Sequence, residues 1–145
     1  MQIFLPYKSP LQVAKCLDNR RLHKQIVECN QIIKAIQGIS EAWKNHPICK
    51  MYKDNLNFVI LYKTILEEYK CKVDEQELEI LSKKAIENIP SFITQEYLDV
   101  MKKRLYTKDK EHYCQFSNLG ECDYNLYFVE NKWKKYINGK VVNII

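Results

Sequence analysis

The chain has 145 residues, of which 46% are hydrophobic and 28% charged, and its net charge is +5. That length suits one domain able to bury most of its apolar surface, and the composition is that of an ordinary soluble globule. With only 3 Gly and 4 Pro, the tight turns of an all-β fold are scarce, so a few long helices are expected.

The N-terminus MQIFLPYKSP carries no cleavage-type segment, and no apolar run approaches the ~18 residues that cross a bilayer. An intracellular protein with no membrane association is the expectation. Ser9-Pro10 reads as an N-cap followed by proline in the first helical turn, and the helical pattern then continues to Gly38. Within it Leu22, Ile26, Cys29, Ile33 and Ile36 repeat at helical intervals and predict a buried stripe. A second helix follows His46-Pro47, with Ile48, Tyr52, Val59, Tyr62, Leu66 and Tyr69 on one face and Met51, Phe58 and Ile65 beside it.

Asp74 to Asn88 reads as a third helix whose first turn is acidic, where the helix dipole favours carboxylates. Thr94 caps a fourth, running to Tyr106. From Tyr124 onward, aromatic or aliphatic residues alternate with polar ones, and turns fall at Glu130-Asn131 and Asn138-Gly139. The expected fold is therefore mainly α: a compact single-domain helical bundle over 1–145, helical from 9 to 106, with a short C-terminal β-hairpin or meander in the tail 124–145.

The six cysteines form no CxxC pair and are read as reduced, mostly buried small hydrophobes. The histidines His23, His46 and His112 lie on separate segments, so no metal is expected; a His46–His112 pair lacks a suitably spaced acidic partner. There is no phosphate-binding glycine loop and no GxSxG element. Charge is segregated: residues 1–72 hold 12 Lys+Arg against 6 Asp+Glu, residues 73–100 hold 2 against 7, and residues 101–145 hold 9 against 5. Two basic segments flanking an acidic one suit either a cationic face for nucleic acid or ordinary solvated helix faces.

On the first long helix, Arg21, Gln25, Glu28 and Ile32 share one flank of the apolar stripe. A carboxylate at a core edge, beside an arginine and an amide, is a candidate for acid–base work, although a boundary Arg–Glu pair has the same spacing. In the tail, WKKYINGK (Trp133 to Lys140) mixes aromatics with lysines, which suits base stacking and phosphate contact but equally a hairpin packed on helices. The same holds for the basic, aromatic-ended stretch Met101 to Tyr113.

LDNRRLHKQIVE (Leu17 to Glu28) resembles the first-helix signature of the pyrimidine dimer DNA glycosylase family, in which a leucine precedes the catalytic glutamate by six residues, as Leu22 precedes Glu28. WKNHP (Trp43 to Pro47), KDKEHY (Lys108 to Tyr113) and WKKYINGK resemble further segments of that family. The resemblance implies a DNA-repair glycosylase with abasic-site lyase activity that acts through a Schiff base on the N-terminal α-amine. It implies no cofactor, a monomer, and double-stranded DNA containing damaged bases as partner.

Carried over by position, the catalytic residues would be Met1 and Glu28. DNA would be held by Arg20, Arg21, Lys24 and Gln25, and by Trp133, Lys135, Tyr136 and Lys140. Arg21 falls where a phage member has a DNA-contacting histidine, and Gln25 replaces a glutamate. Because residue 2 is a bulky glutamine, Met1 is expected to be retained. Ile26 and Val27 stand where relatives often carry an arginine, so Arg20, Lys24 and the tail lysines would take over phosphate contacts. The same chemistry on a different base lesion, or a non-catalytic DNA-binding module, are the alternatives.

Overall fold

The computed structural model describes residues 1–71 and 73–142, which fall into two compact units, Met1–Ser91 and Phe92–Ile145. The end of the expected tail, residues 143–145, lies outside the described residues. The mainly α expectation holds: six α-helices and a short 3-10 helix precede a small antiparallel sheet.

The first unit contains α1 (Pro10–Cys16), α2 (Asn19–Ile36), α3 (Pro47–Tyr52), α4 (Leu56–Lys70) and α5 (Glu75–Glu87). α4 is its central element and packs against α1, α2 and α5 through buried Phe58, Val59, Tyr62, Ile65 and Leu66. Polar caps fix where the helices begin. Ser9 Oγ accepts from Gln12 N, Asp74 Oδ1 from Gln76 N and His46 Nδ1 from Ile48 N. Ser82, buried on α5, ties α5 to the start of α1: its hydroxyl accepts from Leu11 N at 3.2 Å and lies 2.7 Å from Ser9 Oγ.

Two expected helices are each split in two. The pattern from Pro10 to Gly38 breaks at Leu17 and Asp18, both extended, so α1 and α2 are separate rods. The pattern after His46 breaks between Tyr52 and Leu56. In both cases the apolar spacing carries across the break, because periodicity reports which residues are buried and not whether the backbone is continuous. Gly38, at φ 75°, ends the α2 segment in the left-handed conformation that glycine adopts without strain.

The buried stripe of α2 also differs from expectation. Leu22, Gln25, Cys29, Ile32 and Ala35 are buried, whereas Ile26, Ile33 and Ile36 are half-buried. The stripe is rotated toward Gln25, a polar residue that burial would penalise unless its amide were satisfied. The residues N-terminal to α1 supply that satisfaction. Gln2, Ile3, Phe4 and Leu5 are all buried, so the segment is part of the core and not a loose end.

The second unit holds α6 (Gln95–Lys108), the 3-10 helix Cys114–Leu119, and β1 (Asn125–Val129), β2 (Lys132–Ile137) and β3 (Lys140–Val142) in the order β1-β2-β3. Thr94 Oγ1 caps α6 by accepting from Tyr97 N. Phe128 opposes Trp133 and Tyr136 opposes Val141 in the two ladders. Glu130-Asn131 and Asn138-Gly139 have positive φ at both positions, the backbone of tight hairpin turns whose twist matches the strands. The cysteines divide: Cys29, Cys49 and Cys122 are buried, Cys16 is half-buried, and Cys71 and Cys114 are exposed.

Candidate active site

The N-terminal segment runs extended beside α2 and α4, held by side chains that reach its backbone. Gln25, 1% exposed, accepts from Phe4 N at 2.6 Å through Oε1 and donates from Nε2 to the Gln2 carbonyl at 2.9 Å. Tyr62 of α4 donates to the Phe4 carbonyl at 2.6 Å, and its hydroxyl also lies 3.1 Å from Gln25 Oε1. One turn beyond Gln25 on α2, Glu28 receives the Gln2 N–H at 3.5 Å on Oε2. Its side chain is 16% exposed, enough to keep a solvent-facing edge. The α-amine of half-buried Met1 is one residue step, at most ~3.6 Å, beyond Gln2 N.

His46 borders the same terminus. Burial, and secondarily the positive charge of the N-terminal amine, push its imidazole down from 6.5 to about 4. With Nδ1 accepting from Ile48 N at 3.1 Å, the neutral ring carries its proton on Nε2. Trp43 sits edge-on to that ring, with centroids 5.9 Å apart, and is 48% exposed. Its φ of 67° is unusual for so bulky a residue.

The structure therefore gathers Met1, Gln25 and Glu28 around one short segment. Arg20 and Lys24 lie on the exposed face of α2, where Lys24 Nζ is 4.0 Å from Glu28 Oε1. Arg21 is half-buried and directs Nη1 to both oxygens of Asp18, at 3.3 and 3.4 Å. Gln25, assigned to DNA by position, has its amide occupied by the protein's own backbone.

Trp133, Lys135, Tyr136 and Lys140 belong to the second unit. There Trp133 packs with Phe92, Tyr97 and Phe128, and Tyr136 stands edge-on to Tyr127 at 5.0 Å. Lys135 Nζ lies 4.4 Å from the centroid of Tyr124, and Lys140 is exposed. Both aromatic rings thus serve their own unit's packing. No group of three or more His, Cys, Asp or Glu side chains able to hold a metal occurs among the described residues. No helix among them is long and apolar enough to cross a membrane.

Sequence reasoning missed Tyr62, read as a core aromatic, and placed His46 just before a helix and in a family-like segment without giving it a role at the site. Each left a signal: a buried tyrosine needs a hydrogen-bond partner, and a His-Pro pair suits a helix N-cap.

These features define a small, mainly α protein that builds its candidate site around its own N-terminus. The family model for pyrimidine dimer DNA glycosylase matches residues 1–76, just over half of the 145 residues, and the chain belongs to that family. The match takes in Met1, Gln25, Glu28, His46 and Tyr62 and ends before the second unit begins. No curated protein and no solved structure matches the chain significantly.

Proposed function

We propose that the protein is a pyrimidine dimer DNA glycosylase with abasic-site lyase activity whose nucleophile is the α-amine of Met1. The observation that carries this reading is the placement of the chain terminus, one residue from a backbone N–H that points at the Glu28 carboxylate. Family membership supplies the substrate class.

An α-amine suits the chemistry. Its ordinary pKa of ~7.7–8.0 leaves roughly a tenth of the molecules neutral at pH 7, where a lysine is almost wholly protonated. The neutral amine attacks C1′ of the 5′ nucleotide of the dimer, and the glycosidic bond breaks with its electron pair leaving on the base. Loss of an amine proton and opening of the sugar ring give an imine. Removal of a C2′ proton then expels the 3′ phosphate by β-elimination.

Glu28 is the group that stabilises the cationic sugar and relays protons, because its carboxylate is mostly shielded from water yet keeps an open edge. His46, neutral at pH 7, adds no positive charge beside the amine. Arg20 and Lys24 on the exposed face of α2 supply phosphate contacts, and the damaged nucleotide leaves the base stack to reach the amine. Arg21 contributes through Asp18 at the start of α2. Lys135 and Lys140 provide further cationic surface on the second unit.

Borohydride trapping on duplexes carrying a cyclobutane dimer, an abasic site or no lesion tests the proposal. The expected product is an adduct at the Met1 amine, located by mass spectrometry, on the first two duplexes. Trapping on the abasic duplex alone removes the dimer as substrate. No adduct on any duplex, with the N-terminus shown to be unblocked, overturns the mechanism.

A further inference from the structure

We infer that Gln25 and Tyr62 are positioning residues of this site: together they lock the N-terminal segment in the one register that presents the Met1 amine to Glu28. The inference rests on the proposed amine mechanism and assigns that mechanism two side chains that touch neither substrate nor the reacting atoms.

The lock is built like one rung of a β-ladder. An antiparallel neighbour would pair with the carbonyl of one residue and the N–H two residues on. Here a single glutamine does both, donating to the Gln2 carbonyl and accepting from Phe4 N. A neutral amide does so whatever the pH, because it carries a donor and an acceptor on one planar group. An ionised carboxylate would set an acceptor against the Gln2 carbonyl oxygen, unless it took up a proton to donate. Tyr62 then takes the Phe4 carbonyl from the side of α4, so two helices hold both backbone polar groups of Phe4.

Register matters because strand backbone alternates. Sliding the segment by one residue would turn the opposite edge toward α2, removing the Gln2 N–H from Glu28 and shifting the amine by ~3.5 Å. Buried Ile3 and Leu5 anchor the segment by their apolar side chains, but apolar contact is non-directional and does not select a register. The directional hydrogen bonds do. Chain termini otherwise fray, and an amine that samples many positions loses the advantage of being held near attack distance.

Gln25→Glu and Tyr62→Phe test this, the second deleting a single hydroxyl so that folding survives. For each variant, melting temperature, affinity for a duplex with a non-reactive abasic analogue, and single-turnover trapping on a true abasic duplex are measured. The expected result is a trapping rate at least tenfold lower, with affinity within about twofold of the parent. Hydrogen exchange at the Phe4 amide should accelerate in Gln25→Glu. A cycle with Glu28→Gln separates positioning from mere folding: Gln25→Glu should cost far less when Glu28 is already removed.

Unchanged trapping in both variants, or full additivity with Glu28→Gln, overturns the inference while leaving the amine mechanism standing. Failure of the parent protein to trap at all overturns the mechanism, and with it any positioning role. Phe4 exchange then reports only whether the hydrogen-bond lock exists.

Discussion

The backbone N–H of Gln2 and the carboxylate of Glu28, separated by 26 residues in sequence, meet at 3.5 Å. Glu28 therefore faces the start of the chain and not a neighbouring lysine alone, since Lys24 Nζ is more distant at 4.0 Å and largely exposed. Replacing the carboxylate by its isosteric amide, Glu28→Gln, keeps the shape but loses the charge and the proton-accepting oxygen. Single-turnover cleavage of abasic duplex should fall by ~10²–10⁴-fold, the range for a lost acid–base group. Binding to a non-reactive duplex, measured by fluorescence anisotropy, should be preserved.

Moving the amine is a complementary perturbation. One additional residue ahead of Met1 displaces the nitrogen by up to ~3.6 Å without touching any side chain of the site. Trapping should be lost, as it should after acetylation of the native terminus. Circular dichroism and DNA binding should remain those of the parent. A protein that tolerates either change with full cleavage would need a different nucleophile.

Acid stability should carry the signature of His46. Its folded pKa lies below its ordinary value, at about 4 against 6.5. Between those values the unfolded chain binds a proton that the folded one refuses, so acidification through this window favours unfolding. The stabilising difference is fully present above pH 6.5 and is lost as pH falls toward 4. The ring is only partly buried, so solvent screening moderates the effect. His46→Asn keeps an oxygen to cap α3 and removes the titration. Its melting temperature should fall less steeply than the parent's from pH 6.5 to 4, in scans at constant ionic strength.

Arg20 and Lys24 project from the exposed face of α2. Removing either should weaken binding to damaged and undamaged duplex alike, and lower the slope of log affinity against log salt by about 0.9 for each lost phosphate contact. Arg21→Gln should instead act on the α2 N-terminus, where its guanidinium is engaged by Asp18, with little change in that slope. Titrating affinity from low to moderate salt for all three variants separates the two roles.

Much of the fold was legible because local rules govern it. Ser9 and Thr94 cap the helices they were expected to cap, while Asp74, expected as the first residue of its helix, caps it instead; Glu130-Asn131 and Asn138-Gly139 make the expected turns. Glu28 was legible as a carboxylate at a core edge from helical spacing. The breaks at Leu17-Asp18 and after Tyr52 were not, since apolar spacing survives a short interruption.

The amino-acid sequence by itself determined the helical segments, the caps at Ser9 and Thr94, the C-terminal meander and the family signature around Glu28, because each depends on residues a few positions apart. Tertiary structure alone decided that Gln25 turns inward and that residues 2–5 join the core. The hydrogen bonds responsible span 21 residues from Gln25 to Phe4 and 58 from Tyr62 to Phe4. A glutamine on a helix is polar by composition, and only a partner brought to it by folding makes its burial favourable. The same holds for His46, whose depressed pKa comes from burial and from the N-terminal charge, both set by packing and not by its neighbours in sequence.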